Sequence, residues 1–186
     1  MNTWSQLLID QLDFYLQAHL LPRLAGLTDD EYFWEPVDGC WSVRRRDDGQ
    51  WFIESSWPDP LPDPEPVTTI AWRLCHIGVE GIATRVSAYF GDGSLPEGLG
   101  MFDERHLPPV PGTAADAVVL LETAYDRWRG GLAELDDEQF LRPLGPVGEN
   151  FADDPLAALV LHVSRETMHH GGEIGVLRDL YRAKFR

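Results

Sequence analysis

Apolar residues recur at three- and four-residue steps in four stretches of the chain, and each stretch predicts an amphipathic helix. The first runs from about Trp4 to Ala25, with Leu8, Leu12, Tyr15, Leu16, His19 and Leu20 on or near one face. Thr3 followed by Gln6 fits a capping box at its start. The second begins near Thr68 or Thr69 and ends at Phe90, where Gly91-Asp92-Gly93 stops it. Its stripe is Trp72, His76, Val79, Ala83, Val86 and Phe90. The third begins near Thr113, with Asp116 in the box position, and carries Ala117, Leu120, Leu121, Ala124, Tyr125, Trp128 and Leu132. The fourth opens on Asp154-Pro155, an N-cap followed by proline at the first helical position. It carries Leu156, Leu159, Val163, Thr167, Ile174, Leu177 and Tyr181. Four such helices around one core predict an all-α, four-helix bundle.

The connection between the first two helices breaks this pattern. Residues 31–67 hold Trp34, Trp41, Trp51 and Trp57, four of the seven tryptophans. A structureless loop of that length is improbable in a compact domain. Asp48-Gly49 is a turn signal between two short β-like runs, so a hairpin is expected there. Pro58, Pro60, Pro62, Pro64 and Pro66 follow, and predict an extended segment outside any ladder. The connection is expected to be the one large irregular excursion. It reads as a hydrophobic cap on one end of the bundle, or as a wall over a pocket, and both can hold together.

Charge and composition narrow the classes of partner. The net charge of −16 opposes nucleic acid and anionic membranes, which need a basic face. No apolar run approaches the ~20 residues of a membrane span. MNTWSQLLIDQLDFY lacks a basic leader region and reads as helix, not as a signal peptide. Two cysteines, Cys40 and Cys75, make no disulfide framework, so a reducing cytoplasm is the expected compartment. At 186 residues, one domain is expected.

The chemistry gathers on the fourth helix. Glu166 and His170 are four residues apart and share the face of the apolar stripe. An ionised carboxylate inside a bundle is costly unless compensated, and a divalent cation would compensate it and use the imidazole too. His76 on the second helix is the candidate third ligand. Two nitrogens and one carboxylate admit zinc, and equally nickel, cobalt, iron or manganese. From spacing alone, Glu-x3-His is more often a surface ion pair, and a lone core histidine is more often simply hydrogen-bonded. His162 competes, one further i−4 step along the same face, whereas His169 points about 100° away from His170. Glu80 and Glu173 have the spacing to orient His76 and His170, or to be ordinary solvated carboxylates. Cys75 reads as a core thiol, and Cys40 has no evident activator. Arg165 and Arg178 are candidates for a substrate carboxylate, although helix arginines are usually surface charges. Arg44, Arg45 and Arg46 are expected in a solvated loop, balanced by Asp47 and Asp48.

Three stretches carry a family resemblance: FWEP…GCWSVR, TIAWRLCHIGVE and HVSRETMHHGGEIGVLRDL. Together they resemble the DinB-like superfamily of four-helix-bundle metal proteins, with residues 1–186 as a single such domain. Many members carry His-x3-His on the last helix. Here Glu166 stands at the first of these positions, which is similar to the His/Glu/His set in the metal-binding domain of mycothiol-dependent maleylpyruvate isomerase. The resemblance implies His76, Glu166 and His170 as ligands of a divalent metal, zinc or nickel first. It further implies an enzyme that uses a low-molecular-weight thiol of the mycothiol or bacillithiol type on a small-molecule substrate, and a homodimer. That isomerase has an additional C-terminal domain beyond the stretch seen here, so maleylpyruvate itself is not the expected substrate. A metal-dependent hydrolase and a non-catalytic, metal-stapled ligand-binding protein are the alternatives.

Overall fold

The structure, a computed structural model, describes residues 3–54, 60 and 62–185; Trp57 and Pro58 of the connection lie outside the described residues. Among these the chain is mostly helical, in keeping with an all-α fold. Helix α1 joins Trp4–Tyr15, a π-helical stretch Leu16–Leu20 and Leu21–Leu24. Short α2 covers Asp29–Tyr32. Helix α3 joins Ile70–Cys75, a π-helical stretch His76–Ala83 and Thr84–Phe90. Helix α4 is Ala114–Ala133, α5 is Asp137–Phe140 and α6 is Leu156–Phe185.

The helix starts follow the capping residues. Thr3 accepts from the Gln6 amide at 3.2 Å, but the Gln6 side chain reaches Asp10 instead, so only half of the expected box forms. At α3 it is Thr69 that caps, accepting from Trp72 N. Thr113 caps α4 through Asp116 N. Helix α6 starts one residue after Pro155, its entry held by backbone bonds from Leu156 N to Arg142 O and from Leu144 N to Asp154 O.

The apolar stripes meet in one core, which buries Leu16 and Leu20 of α1, Val79 of α3, Leu121 and Trp128 of α4, and Ile174 of α6. Helix α1 lies against α4 and α6, and α3 lies against the same two. The α3–α4 approach depends on Gly78, where a Cβ would sit 3.1 Å from Leu120 Cδ2.

The expected hairpin is present. Strands β1 (Val43–Arg45) and β2 (Trp51–Ile53) pair antiparallel, with Gly49 in the turn at φ +87°. Trp41 N bonds Val67 O and Thr69 N bonds Trp41 O, which moors the connection to the start of α3. Its tryptophans then diverge. Trp34 rests on Tyr181 and Phe185 of α6, Trp51 stacks on Phe33, and Trp41 faces Trp72.

Several expectations need correction. Residues 91–113 form a second large excursion, with one short 3-10 turn at Glu104–His106, so the Trp-rich connection is not the only one. Arg44 is not balanced by Asp47 and Asp48; it pairs with Glu35 at 2.7 Å and Glu54 at 2.9 Å. Arg178 is neither a surface charge nor a substrate ligand. It is 1% exposed, donates from Nε and Nη2 to the two oxygens of Glu31 at 2.8 and 2.9 Å, and bonds the carbonyls of Arg23 and Ala25 through Nη1.

Candidate metal centre

His76 stands where α3 widens into its π-helical stretch, a kind of insertion that is frequent at functional sites. Its ring stacks on Trp72, with centroids 4.8 Å apart and planes 13° apart. Trp72 is held in turn by its indole N–H, which donates to Glu54 O at 2.8 Å. Across the groove, α6 presents His170, whose ring meets that of His76 edge-on at 4.9 Å. The side chains of His76 and His170 are 13% and 12% exposed, and that of Glu166 is 30% exposed. All three therefore line the edge of the core and open partly to solvent, rather than lying wholly inside it.

Both rings are oriented by carboxylates. His76 Nδ1–H donates to Glu80 Oε2 and His170 Nδ1–H donates to Glu173 Oε2, each at 2.8 Å. A carboxylate can only accept, so each pair fixes the proton on Nδ1 and leaves Nε2 as a lone-pair donor. Glu80 and Glu173 thus take the orienting role, not the solvated one. Arg73, which the sequence did not single out, ion-pairs with Glu173 and lies 3.4 Å from His170 Nδ1.

One donor atom each from His76, Glu166 and His170 falls within 4.8 Å of the others. Glu166 Oε2 lies 3.7 Å from His170 Nε2. Ligands ~2.1 Å from a tetrahedral ion stand about 3.4 Å apart, so that pair needs only a small adjustment. Burial first, then the charges of His76, His169 and Arg73, pull the His170 imidazole down to about 3, so it is neutral near pH 7, as a metal ligand must be. A second group, His169, His170 and Glu173, is also close-set. It comes from one helix, His169 is 61% exposed, and Glu173 is already engaged by Arg73 and His170.

Among the described residues the first group stops at three. His162 Nδ1 accepts from Arg165 Nη2 at 2.8 Å and stays 3.7 Å from Glu166. Cys75 turns away, as expected. Its thiol is buried against Tyr32 Oη at 3.2 Å, and burial pushes it up to about 12. Cys40 is buried too and donates to Val37 O. An open cavity of about 530 Å³ lies elsewhere, between Trp51 of the hairpin and the Pro109–Thr113 approach to α4.

The family model of the DinB superfamily matches residues 15–174, so the chain belongs to the DinB superfamily. No match was found among curated proteins or among solved structures. Membership and the two His/Glu groups together make these side chains candidate ligands of a divalent metal.

Proposed function

We propose that this DinB-superfamily chain is a metal-dependent enzyme holding a divalent cation, zinc or nickel first, on His76, Glu166 and His170. The observation that carries this is the paired orientation of the two imidazoles. Glu80 and Glu173 each hold a proton on Nδ1, so both Nε2 atoms are lone-pair donors beside the Glu166 carboxylate. A donor set of three, partly open to solvent, suits catalysis better than a closed four-ligand staple. When bound, the cation would lower the pKa of a thiol or water and supply a nucleophile near neutral pH.

The chain's own residues define what surrounds that chemistry. Trp72 and Trp41 form an apolar wall beside His76. Glu166 supplies one negative charge to the centre, and Arg165 braces its Oε1 from the solvent side at 3.4 Å. The favoured substrate set is a low-molecular-weight thiol of the mycothiol or bacillithiol type with a small electrophile. It is supported by the likeness of the His/Glu/His set to that of mycothiol-dependent maleylpyruvate isomerase. We further propose one four-helix-bundle domain over residues 1–186, acting as a cytoplasmic homodimer without nucleic acid or membrane partners. No helix among the described residues is long and apolar enough to cross a membrane.

The test is turnover of a chloro-nitro aromatic with mycothiol, bacillithiol, glutathione or coenzyme A, abolished by chelation and restored by metal. Ester or amide hydrolysis that ignores thiol would replace this reading with a metal-dependent hydrolase. No turnover, with a sharp drop in melting temperature on chelation, would leave a non-catalytic, metal-stapled binding protein.

A further inference from the structure

We propose a second ligand site, for a small anion, at Arg85, where the end of α3 meets the Met101–His106 segment. Arg85 is only 6% exposed, yet its guanidinium forms no ion pair among the described residues. The charges of Glu80 and Glu149 reach it from a distance, but no carboxylate oxygen among the described residues contacts the guanidinium, so its buried N–H groups still call for acceptors. Nη1 is already saturated, donating to Glu80 O at 3.2 Å, Thr84 Oγ1 at 3.0 Å and Met101 O at 3.0 Å. Nε is buried and has no acceptor. The Phe102 ring covers one face of the guanidinium, 4.7 Å from Cζ. What remains is the Nε/Nη2 edge, the edge that grips a carboxylate or phosphate through two parallel hydrogen bonds.

The carboxylates whose charge reaches Arg85 are committed elsewhere. Glu80 accepts from His76 Nδ1–H, and Glu149 accepts from Phe102 N–H at 3.2 Å. An independent observation comes from the neighbouring segment. The 3-10 turn Glu104–His106 packs on the Thr84–Phe90 part of α3. His106 is 6% exposed, and both of its ring nitrogens are buried without a partner. A neutral imidazole always has one N–H to donate. Two packed elements thus bury an arginine edge and an imidazole, and no acceptor among the described residues satisfies either. An anion of the carboxylate or phosphate type would satisfy both. The site is separate from the three-donor centre and does not rest on it, although the Glu80 carbonyl that Arg85 holds belongs to the residue orienting His76.

Calorimetric titration of the full chain with inorganic phosphate, and separately with acetate, tests this. Saturable one-site binding of at least one of them is expected, and which one binds identifies the anion class. Arg85→Met should weaken it at least tenfold, His106→Leu should weaken it measurably, and His170→Ala should leave it unchanged. No binding of either anion to the wild type would overturn the proposal. So would equal affinity in Arg85→Met, or binding lost in His170→Ala and kept in Arg85→Met, which would put the anion at the other centre. If Arg85→Met fails to fold, unchanged affinity in His106→Leu overturns it instead.

Discussion

The two histidines of the candidate centre are held by carboxylates, and this makes the orienting residues as testable as the donors. Removing the charge of Glu80 in Glu80→Gln should weaken metal affinity about 10–100-fold in a chelator competition, because the imidazole loses its fixed tautomer and some basicity. His76→Ala and His170→Ala should lower bound metal to background, while His162→Ala should not, since that ring is engaged by Arg165. The pH response of the metal-free protein follows from His170. An unfolded histidine takes up a proton below ~6.5, whereas folded His170 resists until about 3. The unfolded state therefore binds more protons in that window, and stability falls steadily as pH drops from about 6.5 toward 3. Melting temperature against pH should show this slope, and His170→Gln should flatten it. That Glu166 lies one turn from His170 and that His76 sits on the α3 stripe was legible from helical register, whereas choosing these three over His162 as ligands rested on the family resemblance. The roles of Arg73 and Trp72 were not legible, because they depend on how closely α3 and α6 approach.

Helix ends were legible for a local reason: Thr69 and Thr113 cap their own helices through hydroxyls three residues from the amides they satisfy. The π-helical stretches were not legible, since a one-residue widening leaves the three-and-four stripe almost intact. Arg178 was misread because its partner lies 147 residues away, at Glu31. That pair fastens α6 to α2 and to the end of α1. Arg178→Met would leave the Glu31 carboxylate buried and uncompensated, at a cost of about 3–5 kcal/mol. Urea unfolding should report it as a lower midpoint, with bound metal per folded chain unchanged.

At the scale of the whole molecule, charge yields an expectation open to a direct test, and connectivity was not legible. The −16 net charge argues against nucleic acid, and no nonspecific DNA binding is expected in a low-salt mobility assay. The excursion at residues 91–113 escaped notice because a stretch interrupted this often by glycine and proline has no periodicity to read, yet it brings Phe102 and His106 against α3. Only long-range packing reveals that. The central claim is that a divalent cation binds between α3 and α6 on His76, Glu166 and His170. Anomalous diffraction from crystals of protein purified without chelators, recorded above and below the absorption edge of the metal found by elemental analysis, tests it most directly. The account predicts one strong peak within about 2.0–2.2 Å of His76 Nε2, His170 Nε2 and a Glu166 oxygen. A peak on His169 and Glu173 instead, or no peak after loading with zinc and with nickel, would contradict it.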